Sequence, residues 1–126
     1  MTDMFKKGAF SWAELQTTDV DGAKKFYTEL LGWTTEEFPS KEIAYTIVKT
    51  GEEPVGGIMA LPSKASAPPH WGVYITVEDV DATTRKAHEL GATIIVPPMD
   101  IKEVGRFSLI QDPQGAMFSV ITYIRK

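Results

Sequence analysis

The sequence predicts an α+β fold made of two βαβββ modules, and three observations predict it. The run Phe10-Ser11-Trp12-Ala13-Glu14-Leu15 leading to Thr18-Asp19-Val20-Asp21 is echoed by Gly72-Val73-Tyr74-Ile75-Thr76-Val77 leading to Glu78-Asp79-Val80-Asp81. At each Asp-Val-Asp the apolar spacing changes from the alternation of a strand to the three-and-four spacing of a helix. Each helical pattern then stops at Leu-Gly, Leu31-Gly32 and Leu90-Gly91, before a new strand begins.

Taken in order, residues 1–8 read as a short leader. From Ala9 to Gln16, Ala13 and Leu15 share one face with Ser11, while Phe10, Trp12 and Glu14 share the other, as in a strand covered on both sides. Thr18 or Asp19 offers an N-cap, and the carboxylates of Asp19 and Asp21 suit a helix N-terminus. Ala23, Phe26, Tyr27 and Leu30 make a single apolar stripe, and Gly32 stops the helix. Trp33–Phe38 and Ile43–Lys49 read as strands about a turn at Pro39-Ser40-Lys41, and Val55–Leu61 reads as a third. Residues 62–69, with the pair Pro68-Pro69, have linker composition.

The second module opens with a strand over His70–Val77, with Trp71, Val73, Ile75 and Val77 on one face and His70, Gly72, Tyr74 and Thr76 on the other. Asp79 begins a helix with Val80, Thr83, Ala87 and Leu90 inward. A strand over Ala92–Val96 is expected to end at Pro97-Pro98. Arg106–Gln111 and Ala116–Ile124 form a hairpin about Asp112-Pro113-Gln114-Gly115, which suits a type I turn. One domain of residues 1–126 is expected, with module one over about 8–61, the linker over 62–69 and module two over about 70–124.

Composition removes several function classes. With 13 basic and 17 acidic residues the net charge is −4, and no stretch concentrates Lys or Arg, so no nucleic-acid partner is expected. Cys is absent, which excludes disulfides, thiolate metal sites and a thiol nucleophile. No segment has signal-peptide or membrane-span character, so a cytoplasmic protein with no membrane partner is expected. Ser11, Ser108 and Ser119 lack a nucleophile motif, and Gly56-Gly57 lacks the Lys and helix of a phosphate loop.

The pattern resembles the vicinal oxygen chelate superfamily of glyoxalases, extradiol dioxygenases and bleomycin-resistance-type binding proteins. The resemblance rests on Thr18-Asp19-Val20-Asp21 through Phe26-Tyr27 to Leu31-Gly32-Trp33, on Val77-Glu78-Asp79-Val80-Asp81 with Leu90-Gly91-Ala92, and on Asp112-Pro113-Gln114-Gly115. It implies an eight-stranded, incompletely closed cup with helices on its outer face, and commonly a homodimer. It also implies metal-ligand positions at Trp12 and Gly72 on the first strands, at Ser119 on the last strand, and at Leu61 or Met59 in module one. None of these matches a His or carboxylate ligand set, so a metal-free protein with no cofactor is expected.

A small organic molecule in the cup is therefore the expected partner. Trp12, Tyr74, Phe107 and Met117 would form an adaptable aromatic lining, and Gly72 would leave room opposite Trp12. Glu14 would select a cationic or hydroxylated ligand, or would simply take a backbone or Arg partner. His70 lies on the same side, and Met59 and Ser119 complete the candidate lining. Lys102 and Arg106, in the loop before the seventh strand, could meet an anionic ligand, or could be the solvated charges usual in a loop. The alternatives are a metal-dependent glyoxalase-like lyase or dioxygenase with nonstandard ligands such as Glu14 and His70, and an interaction module with a vestigial cup.

Overall fold

The computed structural model describes residues 4–39, 44–61 and 67–124. The turn expected at Pro39-Ser40-Lys41 and the linker over 62–69 fall largely outside them. Among the described residues, eight strands and two helices follow in the order β1 (Phe10–Thr17), α1 (Val20–Leu31), β2 (Thr34–Glu37), β3 (Tyr45–Thr50), β4 (Glu53–Ala60), β5 (His70–Thr76), α2 (Val80–Glu89), β6 (Thr93–Ile101), β7 (Gly105–Gln111) and β8 (Met117–Tyr123). The class is α+β, and βαβββ occurs twice. The chain divides into two compact units, residues 12–72 and residues 1–11 with 73–126, so the divisions fall inside β1 and β5.

In the 12–72 unit the strand order is β2-β3-β4-β1, with β1 parallel to β4 and the other pairs antiparallel. Asp19 caps α1 by accepting the Gly22 N–H, and Gly32 ends it in the left-handed conformation at φ 72°. Leu15, Val48 and Ile58 are buried, with Val20, Ala23, Tyr27 and Trp33 packed on them. This is the face that α1 covers. The expected helix stripe is only partly right: Ala23 and Tyr27 pack inward, but Phe26 and Leu30 are 57% and 62% exposed. The reason is the width of the contact, because three small or medium side chains on the sheet accept only one edge of the helix.

An aromatic cluster extends that core. Tyr27 stacks on Trp33, and the edge of Trp71 meets both rings. The Trp71 indole N–H also donates to the Tyr27 hydroxyl at 3.2 Å. Trp71 thus serves the first helix, although its strand belongs by sequence to the second repeat.

In the other unit the order is β5-β8-β7-β6, with β5 parallel to β8 and the remaining pairs antiparallel. Val80, Ile110 and Val120 form its core under α2. Asp79 caps α2 by accepting the Ala82 N–H. Thr84, rather than Thr83, is buried, its hydroxyl donating to the Val80 carbonyl at 2.7 Å, and Leu90 is 69% exposed. Leu90 lies outside because the helix already ends there as its C-cap.

The strand expected to stop at Pro97-Pro98 runs on to Ile101. β6 is the edge of its sheet, and its register shifts between Ile94 and Val96 and again between Val96 and Met99. Prolines without an N–H are tolerated at an edge where bulges already interrupt the ladder. The β7–β8 turn is as expected, with the Gly115 N–H donating to the Asp112 carbonyl at 3.0 Å and Gly115 at φ 103°.

Candidate functional site

Each unit has a sheet face turned away from its own helix, and the expected lining residues divide between those two faces. Strand pairing fixes the first. Glu14 lies beside Gly57 and Gln16 beside Met59, while Tyr45 is opposite Met59 and Ile47 opposite Gly57. Residues aligned across strands share a face, so Trp12, Glu14, Gln16, Tyr45, Gly57 and Met59 lie together away from α1.

The geometry there is specific. A Cβ placed on Gly57 would lie 1.9 Å from the Tyr45 hydroxyl oxygen, so the phenol crosses β4 directly above this residue. The Trp12 indole N–H donates to that oxygen at 2.7 Å. Glu14 is 6% exposed, and its carboxylate accepts from the Gln16 amide at 3.2 Å. A buried carboxylate needs hydrogen-bond donors, and Gln16 supplies one of them. Tyr45 and Gln16 were not expected from the sequence. The Gly56-Gly57 pair was the available signal, since glycine within a strand marks close approach by another group.

His70 and Gly72 also belong to this unit. His70 is exposed and its Nδ1–H donates to the Pro68 carbonyl at 2.7 Å, which orients the ring onto its own preceding turn. Among the described residues, a Cβ at Gly72 would find only the Glu14 carbonyl oxygen, at 4.0 Å, which leaves space beside it.

On the second face, Tyr74 pairs with Ser119 and Leu109 with Ser119, placing these residues with Phe107 and Met117. The Tyr74 and Phe107 rings are 6.3 Å apart and tilted by 53°. Ser119 is buried, whereas Met117 is 45% exposed. One end of this face is crossed by the leader: the edge of Phe5 meets Tyr123, the Thr76 hydroxyl donates to the Met4 carbonyl, and Gly8 N–H donates to the Thr76 carbonyl. Tyr123 and Ser11 share a 2.8 Å hydroxyl contact. Burial raises the Tyr123 phenol above its ordinary pKa, with the Ser11 bond opposing.

A distinct cleft of about 550 Å³ lies by the start of α2, lined in part by Asp81, Asp100, Lys102, Glu103, Arg106 and Tyr123. Arg106 is in β7, in line with the strand expected over Arg106–Gln111 and not in the loop before it. Its Nε donates to Asp81 at 2.7 Å, Nη2 to the other Asp81 oxygen at 3.0 Å, and Nη1 to Asp100 at 3.0 Å. Two carboxylates on one guanidinium leave little attraction for an anionic ligand, contrary to the expectation for Arg106. The Arg106 hydrogen bonds hold the Asp81 carboxyl below the ordinary aspartate range.

The implied metal can be tested against the donors. Zinc or non-haem iron needs several His or carboxylate ligands. Trp12, Gly72 and Ser119, with Met59 or Leu61, offer an indole, a bare backbone, a hydroxyl and a thioether or alkyl group. Among the described residues no three His, Asp or Glu side chains gather in a metal-holding group. This donor set does not fit the metal.

Two βαβββ repeats, each with an aromatic and polar sheet face opposite its helix, define a chain of the glyoxalase type. The profile of the Glyoxalase/Bleomycin resistance protein/Dioxygenase superfamily matches residues 9–120, and the chain belongs to that superfamily. Among its relatives is CFP32 of Mycobacterium tuberculosis, which carries a provisional glyoxylase name and is 44% identical over 118 residues, 90% of this chain and 44% of the relative. The anthracycline biosynthesis protein DauV of a Streptomyces species is 36% identical over 114 residues, 90% of this chain and 41% of the relative. This chain spans less than half the length of either relative.

Solved structures agree on the fold. Methylmalonyl-CoA epimerase of Mycobacterium tuberculosis superposes with a TM-score of 0.69 at 16% identity, over 95% of this chain and 93% of the epimerase. The Streptomyces coelicolor methylmalonyl-CoA epimerase in complex with 2-nitronate-propionyl-CoA gives 0.63 at 14% identity, over 95% and 100%. At such identities the likeness concerns the fold alone.

Proposed function

We propose that this chain is a metal-free binder of a small organic molecule, held on the sheet faces turned away from the helices. The observation that carries the reading is the first of those faces. Its Trp12–Tyr45 pair and the Glu14–Gln16 pair surround Gly57 with flat apolar surface and directional hydrogen-bonding groups, the usual combination in a small-molecule site. Met59 and Gly72 belong to the same candidate site, and Tyr74, Phe107, Met117 and Ser119 form its counterpart on the second unit. The naming of relatives for anthracycline biosynthesis supports a planar organic ligand. A homodimer working in the cytoplasm is part of the reading, supported by exposed Phe26, Leu30 and Leu31 along α1 as apolar surface available to a second copy.

The glyoxylase name of the 44% identical relatives favours a second reading, a metal-dependent lyase using nonstandard ligands such as Glu14 and His70. Elemental analysis of protein purified without chelator separates the two. Substoichiometric metal is expected, and one equivalent of zinc, nickel, manganese or iron would defeat the metal-free proposal. A thermal-shift screen of small molecules tests binding itself, since a native-state ligand raises the midpoint by mass action. A chain that no small molecule stabilises would be better read as an interaction module.

A further inference from the structure

The sheet of the second unit keeps charge and apolar surface on opposite faces. Asp100 and Arg106 pair across β6 and β7 on the side that α2 covers, where Arg106 also meets Asp81. The alternate residues of the same strands build the other face. Met99 lies opposite Phe107, Val96 opposite Leu109, and Met117 opposite Gln111, while Leu109 and Tyr74 both pair with Ser119. Among the described residues that strand pairing places on this face, none is Asp, Glu, Lys or Arg.

The apolar groups here are open, because α2 packs on the opposite side over Ile110 and Val120. Met99 is 49% exposed and Met117 nearly as much, and Phe107 and Leu109, on the strand between them, are half-buried. Unbranched thioethers on either side of an aromatic ring adapt to a bulky apolar outline. A charged group brought onto this face would lose water and gain no counter-charge from its described residues, so an ionised ligand is penalised. We infer that the face takes the uncharged ring portion of a ligand, and that Met99, which no sequence pattern singled out, is a specificity-determining contact for it. This rests on the reading that the sheet faces turned away from the helices bind an organic molecule, and it names the class: neutral polycyclic aromatic compounds, with anionic ones rejected.

Phenylnaphthylamine and anilinonaphthalene sulfonate test it, because they share one ring skeleton and differ by the sulfonate. Fluorescence titration of each into the full chain gives the ratio of their affinities. Wild-type protein is expected to bind the neutral probe at least about tenfold more tightly. Met99→Leu, which keeps the volume, is expected to hold that ratio within about twofold. Met99→Lys is expected to weaken the neutral probe about tenfold and strengthen the sulfonate about fivefold. Leu90→Lys, on exposed surface where α2 ends, is expected to change neither by more than about twofold. In spectra of methyl-labelled methionine, the neutral probe is expected to shift the Met99 and Met117 signals, assigned by their leucine variants. A ratio that Met99→Lys leaves unchanged overturns the inference, as do Met99 and Met117 signals that stay in place while the probe binds. Wild-type protein that binds both probes equally, or neither, also overturns it. The binding function itself fails only if the thermal-shift screen finds no small-molecule stabiliser either.

Discussion

Gly57→Ala is a one-carbon substitution that should disturb the whole candidate site. The new Cβ would lie 1.9 Å from the Tyr45 oxygen, 2.2 Å from its Cζ and 2.5 Å from its Cε2. Ordinary contact begins near 3.4 Å, so the phenol must move by about 1.5 Å. Its hydrogen bond from Trp12, now 2.7 Å long, cannot survive such a shift in its present geometry. The end of a free side chain would yield cheaply, but this one is also braced by Phe38. Loss of the bond and overpacking together should cost about 1–3 kcal/mol. Urea unfolding of the two proteins measures the difference, and a change in tryptophan emission reports the altered indole environment.

The decisive form of the experiment is a double-mutant cycle with Tyr45→Ala. Once the ring is gone, alanine at position 57 meets no phenol, and its cost should fall to within about 0.5 kcal/mol. If Gly57→Ala costs the same with and without the tyrosine, the phenol does not lie over Gly57. The account of the site would then be wrong.

Three further outcomes follow from the second unit. The Asp81 carboxyl is held below its ordinary range by Arg106, so the pair's contribution is present above the unfolded-state pKa and is lost as pH falls through the lower native value; the midpoint gap between wild type and Asp81→Asn should therefore narrow on acidification, and a gap that widens would refute the pairing. Burial raises the Tyr123 pKa, so stability is fully present below the unfolded-state value and is lost as pH rises through the native one; Tyr123→Phe should show a smaller alkaline loss of stability in a pH series of thermal melts. Gly105→Ala should be the harshest glycine replacement in this unit, because its Cβ would meet the Thr122 carbonyl oxygen at 2.1 Å and backbone cannot swing aside; a loss of at least about 2 kcal/mol is expected by denaturant unfolding.

Much of the scaffold was legible because its signals are local. Asp19 and Asp79 cap their helices with their own side chains, Gly32 takes the left-handed conformation that a side chain resists, and Asp112 and Gly115 close their turn within a few residues. The repeat added a second reading of the same pattern, so the element order followed. The faces of β1 were legible too, because alternation separates Leu15 from Trp12 and Glu14 without knowledge of any neighbour.

By itself, then, the sequence determined the α+β class, the doubled βαβββ order and the chemistry offered by each strand. Tertiary structure alone decided which distant groups meet: Tyr45 over Gly57, Trp71 against Tyr27, and Arg106 between Asp81 and Asp100. It also decided that β6 runs through Pro97-Pro98, because proline is tolerated only where a sheet's edge or a bulge relieves it of ladder bonding. The physical reason for the division is range. Caps, turns and alternation are settled within a few residues, whereas the reach of a phenol across a strand depends on register between segments that only packing brings together.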